Sequence, residues 1–154
     1  MAIIGEYEPS PTRWVAEQVE RYEASGGSEA NTLLDTGIPI ILMTTIGHRS
    51  GKVRKVPVMR VEHDGAYAIV ASKGGAPDHP GWYHNLQANQ DVMIQDGAVP
   101  FDATVSLVAG EERDRWWARA VEAFPPYAEY QAATDREIPV FVARGEADGS
   151  GDDR

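Results

Sequence analysis

The sequence predicts a small, mainly antiparallel β-barrel with peripheral helices, formed as a single domain of 154 residues. Roughly six short segments rich in β-branched residues are separated by turn signals, among them Asp64-Gly65 and Asp96-Gly97. Helical spacing of apolar residues occurs near both ends of the chain and in short crossovers. No Gly-x-Gly-x-x-Gly motif follows a predicted strand and no Walker sequence is present, which excludes the Rossmann and P-loop folds.

The first predicted element is an amphipathic helix over residues 11–24. Trp14, Val19 and Tyr22 recur at roughly helical spacing with glutamates between them, and serine and glycine over 25–28 end the helix. The polar side of this helix is acidic, whereas an anionic membrane surface favours lysine and arginine. We therefore expect the helix to pack on the core or on a partner.

The strands are predicted where β-branched or alternating runs end at turn residues. Helix 111–124 has an acidic first turn that complements the helix dipole, and Trp117, Val121 and Phe124 are spaced to form a buried stripe. The predicted strands cover residues 38–45, 53–62, 66–72, 91–95, 101–108 and 138–144, with a second short helix over 80–89 and an aromatic segment over 127–134.

These elements predict a helix and linker over residues 1–30, a barrel domain over 31–144 and a disordered tail over 145–154. No stretch approaches the roughly 18 continuous apolar residues of a membrane span, and residues 1–10 lack the basic and apolar regions of a secretion signal. The sequence therefore predicts a cytoplasmic protein. Because the chain contains no cysteine, disulfides, thiolate metal sites and thiol nucleophiles are excluded.

Charge is distributed unevenly along the chain. The 14 Lys and Arg against 24 Asp and Glu give a net charge of −10, which argues against a nucleic-acid partner. Yet all lysines lie within residues 49–73, and residues 36–61 contain no acid. The loop over 44–55 thus concentrates cations, hydroxyls and glycines of the kind that bind phosphate oxygens. The alternative is a solvated hairpin end, which the lack of a nearby acid to pair these cations disfavours.

A second unusual stretch begins where a predicted strand ends at Ser72. Lys73 and two glycines follow, and if both loops lie at one end of the barrel, Lys73 extends the anion site. The alternative is a tight strand-to-helix turn with Lys73 exposed by accident. His79 and His84 are five residues apart, do not share a helical face and have no third ligand nearby, so no metal site is expected.

Four motifs stand in order along the chain: residues 45–54, 71–76, 80–89, and 124–131 with 134–139. Together they resemble the deazaflavin-dependent nitroreductase family of actinobacteria, which uses coenzyme F420. The likeness covers roughly residues 31–144. It implies a split β-barrel of the FMN-binding type, as in flavin-binding pyridoxamine-phosphate oxidases, and a pocket for a deazaflavin with an acidic phosphate and oligoglutamate tail.

The resemblance also implies roles for individual residues. Contacts to the phosphate and tail of the cofactor are implied for His48, Arg49, Ser50, Gly51, Lys52, Arg54, Lys55 and Lys73. The deazaflavin ring would be bordered by Pro57, Val58, Ala71, Gly74, Gly75 and Ala76, with Trp82 as a wall of the pocket. The candidate catalytic residues are Ser72, near the reactive carbon, and Tyr127 and Tyr130, on the substrate side. The alternatives are that Ser72 only caps a strand end and that the tyrosines only cover the barrel mouth.

The sequence departs from the family pattern at three positions. His48 stands where arginine is common, so the phosphate contact would depend on pH near neutrality. Met59 and Phe124 stand where the nitroimidazole-activating branch carries tyrosines, which removes two pocket hydroxyls. Nitroimidazole reduction is therefore in doubt, whereas quinones or other conjugated acceptors fit the resemblance.

The function expected from these residues is hydride transfer from reduced F420 to an electron-poor conjugated small molecule, such as a quinone, an enone or a nitro compound. The cofactor carries the redox chemistry, while the protein orients the reactants and excludes water. Two alternatives stay open: an FMN-dependent oxidoreductase on the same barrel, and a carrier that binds the deazaflavin without turnover. The sequence leaves the physiological substrate, the oligomeric state and the role of the N-terminal helix open.

Overall fold

The protein, described here by a computed structural model over residue 3 and residues 5–145, folds as a half-barrel sheet surrounded by helices. The helices are α1 Arg13–Ala24, α2 Gly81–Ala88, α3 Gly110–Ala123 and α4 Pro126–Ala132. The strands are β1 Ile40–Ile46, β2 Val53–Met59, β3 Glu62–His63, β4 Ala66–Val70, β5 Asp91–Gln95, β6 Pro100–Leu107 and β7 Val140–Gly145. The predicted order of helices and strands is confirmed, and the aromatic segment after α3 forms a helix of its own.

The strands of the described chain form one sheet in the order β2-β1-β5-β6-β7-β4-β3, and each neighbouring pair is antiparallel. β1 and β2 pair along their full length, from Ile40 opposite Met59 to Ile46 opposite Val53. This pairing places the β1–β2 loop at one end of the sheet. That loop is the basic stretch identified in the sequence.

The segment predicted as one strand over 53–62 bends and divides into β2 and β3. At the bend, the Arg60 N–H donates to the Pro39 carbonyl at 3.1 Å, on the β1 side of the sheet. One residue later the Val61 carbonyl accepts from the Ala68 N–H of β4 at 2.8 Å. The chain thus leaves β1 and joins β4, which curls the sheet and brings its two ends together.

Alternation along the strands divides the core into a barrel interior and an outer layer. Ile41 of β1, Ile69 of β4 and Ile94 of β5 are fully buried in the interior cluster. Val70, the next residue of β4, instead packs in the cluster that contains Trp116 of α3. Each such buried aliphatic side chain contributes about 1.5–3 kcal/mol of transfer free energy.

Helix α1 packs against the outer face of β1. Val19 and Tyr22 are each 1% exposed and pack in one cluster with Ile40, so the helix packs on the core, one of the two alternatives that the sequence left open. The Tyr22 hydroxyl also accepts the N–H of Gly97 at 2.8 Å, which ties the helix to the β5–β6 turn. Trp14, placed on the same apolar face by the sequence, is instead 46% exposed.

The buried face of α3 differs by one position from the predicted stripe. Arg113 and Trp116 are buried, whereas Trp117 and Val121 lie partly exposed at the edge of the cluster. The Arg113 guanidinium lies 5.0 Å from the centre of the Trp117 ring, and this cation–π contact is compatible with a ring at the rim of the core. Phe124, the last member of the predicted stripe, is buried as expected.

The predicted tail lies outside the described residues, except for Gly145, which ends β7. The division into a helix and linker over 1–30 and a barrel over 31–144 stays a prediction. Within the described part of the chain, no helix has the length and apolar character needed to cross a membrane. The cytoplasmic location stays a prediction as well.

Candidate active site

Two cavities lie along β2 and share the side chain of Trp82 from α2. The first has a volume of about 400 Å³, and we call it the basic cavity. Its lining includes six of the predicted cofactor residues: His48, Arg49, Ser50, Arg54, Lys55 and Trp82. The second has a volume of about 200 Å³, and we call it the apolar cavity. Its lining includes Pro57, Val58, Met59, Ser72, Lys73, Gly74, Trp82 and Tyr127.

The remaining predicted residues are not among those that line the two cavities, and packing explains this for two of them. Ala71 is fully buried in the barrel interior. Gly75 abuts the backbone of Tyr130, since a Cβ on this glycine would lie 2.8 Å from the Tyr130 carbonyl oxygen. The predicted residues that line neither cavity are Gly51, Lys52, Ala71, Gly75, Ala76 and Tyr130. The functional roles of all the predicted residues stay predictions.

The β1–β2 loop at the mouth of the basic cavity is a tight turn that depends on glycine. The Gly47 N–H donates to the Lys52 carbonyl at 2.8 Å, and the Gly51 N–H donates to the Gly47 carbonyl at 2.9 Å. A Cβ at position 47 would lie 2.8 Å from the Ser50 Oγ, and Gly51 has a φ of +72°. The turn therefore fixes the direction in which the basic side chains leave the sheet.

Asn85 of α2 anchors this loop. Its Oδ1 accepts the His48 backbone N–H at 2.9 Å and lies 2.8 Å from the His48 ring Nδ1. Its Nδ2 donates to the Thr45 hydroxyl at 3.3 Å. Because Oδ1 is an acceptor, the contact requires a hydrogen on Nδ1, which leaves Nε2 as the other hydrogen-bonding atom of His48. Asn85 was not singled out from the sequence, although it lies in the motif over 80–89.

The cations of the basic cavity are partly paired, contrary to the expectation that no acid lies nearby. Arg54 Nη1 lies 3.3 Å from the Glu8 carboxylate, and Lys55 Nζ lies 2.6 Å from the Glu23 carboxylate. Both acids belong to the N-terminal part of the chain, far from the loop in sequence. Arg49 has no ion pair among the described residues. The cavity therefore contains both fixed cations and a carboxylate of the protein itself.

Lys73 occupies a different position from the one suggested by the sequence. It lines the apolar cavity, and its Nζ lies 2.9 Å from the Asp78 carboxylate. The ammonium group holds the pKa of Asp78 below its ordinary value, chiefly through this hydrogen bond. Lys73 therefore does not extend the basic cavity directly, and the two cavities meet through Trp82.

Tyr127 forms a wall of the apolar cavity. Its side chain is almost completely buried, and burial raises the pKa of its hydroxyl, with a smaller contribution from Tyr130. Like an ordinary tyrosine, it carries its proton at neutral pH and can donate a hydrogen bond. Phe124 packs edge-on against Tyr127, with ring centres 5.0 Å apart, and has no hydroxyl to add to this wall.

Arg136 was overlooked as a site residue by sequence reasoning, although it lies in the motif over 134–139. Its guanidinium donates to the carbonyl oxygens of Ala71, Ser72 and Ala76 at distances of 2.8–3.2 Å. These acceptors are 60–65 residues away along the chain, so no local pattern could reveal them. Its place within a recognised motif was the only signal in the sequence.

His79 lies beside Arg136. Its Nδ1 is 3.0 Å from Arg136 Nη1, and its ring stacks on Tyr83 at a centre distance of 3.9 Å. Burial, followed by the charge of Arg136, lowers the pKa of His79. Among the residues that the structure describes, no group of three or more metal-ligating side chains is present.

Distant structural relatives identify the type of barrel. A Clostridium acetobutylicum protein of the pyridoxinephosphate oxidase family is 15% identical, with a TM-score of 0.50 over 87% of this chain and 84% of that chain. At this identity the likeness concerns the fold alone. The predicted split β-barrel of the FMN-binding type is confirmed.

Closer relatives share sequence as well as fold. The F420H(2)-dependent quinone reductase Rv1261c of Mycobacterium tuberculosis is 41% identical over 107 residues, which span 68% of this chain and 72% of the relative. The structure of an F420-H2 dependent reductase, FDR-A, is 59% identical over 69% of this chain and 94% of that chain, with a TM-score of 0.66. A structure described as a domain-swapped dimer is 55% identical over 88% of this chain and all of that chain, with a TM-score of 0.68.

The family model for F420H(2)-dependent quinone reductase matches residues 14–145, which include both cavities' predicted residues and Arg136. This match confirms the recognition of a deazaflavin-dependent family from the sequence motifs, the assignment as an oxidoreductase and coenzyme F420 as its cofactor. On these grounds the chain belongs to the F420H(2)-dependent quinone reductase family.

Proposed function

We propose that this protein binds F420 across Trp82 and reduces a quinone or another conjugated acceptor in the apolar cavity. When bound, reduced F420 supplies the hydride. The observation that carries the proposal is that Trp82 lines two neighbouring cavities of different character. One is lined by cations and the other mainly by apolar side chains. A ligand with an anionic tail and an aromatic ring system needs this combination.

The basic cavity suits the anionic part of the cofactor. Arg49 and Arg54 offer planar forks that each can bind two oxygens of a phosphate or carboxylate, and Lys55 adds a point charge. The Ser50 hydroxyl is a further donor at the same surface. The Glu8 carboxylate must separate from Arg54 before that guanidinium can bind an anion with its full charge.

The apolar cavity suits a flat acceptor whose oxygen gains electron density during reduction. Pro57 and Val58 of β2, which the resemblance assigns to the deazaflavin ring, line this cavity together with Tyr127, which it assigns to the substrate side. The Tyr127 phenol is protonated at neutral pH, burial raises its pKa further, and the Ser72 hydroxyl is a second potential donor. In this proposal these donors stabilise negative charge on the acceptor while the apolar walls exclude water.

The acceptors expected for this cavity are quinones first, and then enones and nitroaromatic compounds. Met59 lines the cavity without a hydroxyl, and Phe124 lies behind Tyr127 without one. Fewer fixed donors favour acceptors that need only one hydrogen bond to an oxygen. Nitroimidazoles, which the sequence departures already disfavour, are expected to be reduced poorly.

Binding and turnover should be measured separately. Oxidised F420 and FMN are titrated into the protein and followed by fluorescence, and reduced F420 is then mixed with soluble quinones, cyclic enones and nitroaromatics. We expect tight binding of F420 only, and oxidation of reduced F420 well above the buffer rate with quinones.

Two results would contradict the proposal. Tight binding of FMN with no binding of F420 would assign the barrel to the flavin. Binding of reduced F420 without oxidation by any acceptor of the panel would make the protein a carrier.

A further inference from the structure

The loop that follows β4 has a backbone that needs external support. Lys73, Gly74 and Gly75 all have left-handed backbone angles, with φ of +47°, +65° and +85°. This conformation costs free energy at Lys73, which carries a Cβ. Such a run persists only where the surrounding structure holds it in place. Ser72 and Lys73 line the apolar cavity, so whatever holds this loop also sets the cavity's shape.

The support comes from one guanidinium. Arg136 Nε donates to the Ala76 carbonyl at 2.9 Å, and Nη2 donates to the Ser72 carbonyl at 2.8 Å. Nη1 and Nη2 also reach the Ala71 carbonyl, each at 3.2 Å, and Nη1 lies 3.0 Å from His79 Nδ1. The side chain thus binds both ends of the loop. Lysine, with a single nitrogen, could not serve acceptors in these separate directions.

Arg136 is itself fixed to α4. Gln131 of that helix donates its Nε2 to the Arg136 carbonyl at 2.8 Å, and its Oε1 accepts the Ile138 N–H at 2.9 Å. The loop also touches α4 directly, because Gly75 lies flush against the backbone of Tyr130. Helix α4 also carries Tyr127, which lines the apolar cavity together with Ser72 and Lys73 of the loop. The guanidinium therefore connects two separate walls of one cavity.

We infer that Arg136 is a positioning residue that holds Ser72 and Lys73 at a fixed place relative to Tyr127, and so sets the geometry in which the acceptor is reduced. The inference rests on the proposed function for the apolar cavity. Arg136 is not among the residues that line either cavity, so it acts through the loop and not by touching the reactants. Its loss should change turnover more than the affinity for F420, because the proposed function attributes most of that affinity to contacts of the charged tail in the basic cavity, away from this loop.

The test compares Arg136→Ala and Arg136→Lys with the matched control Arg113→Ala. Arg113 is a buried arginine that, like the partly buried Arg136, donates to a backbone carbonyl: its Nη2 donates to the Ile138 carbonyl at 2.6 Å without reaching the loop. We expect kcat to fall roughly 10- to 100-fold in both Arg136 variants, since an error of about 1 Å in placement has effects of this size. The dissociation constant for F420 should change by less than about threefold.

Two further readouts separate positioning from general loss of stability. Guanidinium chloride at low millimolar concentration should restore part of kcat in Arg136→Ala, because the free ion can occupy the vacated carbonyl cluster, and should have no such effect in Arg113→Ala. Hydrogen exchange of a peptide over residues 71–79 should become faster in the Arg136 variants, because the Gly75 and Ala76 amides are bonded within the loop. Arg136→Lys covers the case in which the alanine variant does not fold.

The inference is overturned if Arg136 and Arg113 variants lose kcat equally, with no guanidinium rescue and no exchange change confined to residues 71–79. If the wild-type protein binds F420 but reduces no acceptor, the proposed function fails. Hydrogen exchange then decides the inference alone: faster exchange limited to the Arg136 variants supports the loop's dependence on Arg136, and unchanged exchange refutes it.

Discussion

Replacing Arg54 by alanine removes one cation from the wall of the basic cavity. A unit charge about 4 Å away interacts by about 4 kcal/mol at an effective dielectric constant of about 20 and by about 1 kcal/mol in water. The Arg54 side chain is 33% exposed, which favours the lower part of this interval. In addition, an anion that binds Arg54 must replace the Glu8 carboxylate, which lies 3.3 Å from the guanidinium, so the loss of this ion pair offsets part of the gain. We therefore expect a loss of about 1–2 kcal/mol, or about tenfold weaker F420 binding.

Glu8→Gln should have the opposite effect. It removes a carboxylate from the same cavity and leaves Arg54 unpaired, so F420 should bind roughly two- to fivefold more tightly. Arg13→Ala provides the matched control, since it removes the same charge as Arg54→Ala from a side chain that is 91% exposed and pairs with Glu17. This control should leave F420 binding unchanged.

Fluorescence titration with F420 at several salt concentrations measures these effects. The gap between wild type and Arg54→Ala should narrow as salt is added, because exposed charges are screened beyond about 3 Å at 1 M ionic strength. A deazaflavin that lacks the phosphate and glutamates should bind all variants alike. Equal weakening by Arg54→Ala and Arg13→Ala, or weaker F420 binding by Glu8→Gln, would refute the assignment of the tail to this cavity.

Other predictions concern the loop, the fold and the anchor of the basic cavity. Gly75→Ala should lower the melting temperature by roughly 5–15 °C, because the new Cβ would lie 2.8 Å from the Tyr130 carbonyl oxygen and the residue has a φ of +85°. Gly74→Ala is the control: this residue has a φ of +65° but open space around it, so the melting temperature should fall by only about 2–4 °C. Equal shifts of the two variants in thermal melts would contradict the close contact at Gly75. The lowered pKa of His79 means that the native state resists its protonation, so the unfolding free energy should fall as pH drops below about 6.5. His79→Gln should flatten that part of a urea-unfolding pH profile, and identical profiles would show that His79 does not contribute. Asn85→Ala removes both bonds to His48 and should weaken F420 binding roughly fivefold in the same titration, with unchanged affinity as the contrary result.

Much of the fold follows from local sequence patterns. β5 coincides with its prediction because alternation and turn residues mark both its ends. The strand predicted over 53–62 was continuous, however, and the structure breaks it at Arg60. The break is a consequence of sheet closure, since the residues beyond it pair with β4. The one strand breaker of this segment, Pro57, lies inside β2 opposite Leu42 and does not mark the break.

The candidate site shows the same division between local and distant information. The β1–β2 loop and its cations were recognisable from composition, and the structure places them in the lining of the same cavity as Trp82. The pairing of Arg54 with Glu8 was not predictable, because the partners are 46 residues apart and neither has a periodic relation to the other. Arg136 was missed for the same reason, since its acceptors are backbone carbonyls that every residue type provides.

The short N-terminal stretch that delivers Glu8 also has a bearing on aggregation. β2 lies at one end of the strand order, and the N-terminal stretch covers part of its edge. The Val53 N–H of β2 donates to the Glu6 carbonyl, and the Glu8 N–H donates to the Val53 carbonyl. An uncovered strand edge is a template for pairing with other chains. A variant that lacks this stretch would therefore change two properties together, with a stronger attraction for anions and a β2 edge open to intermolecular pairing.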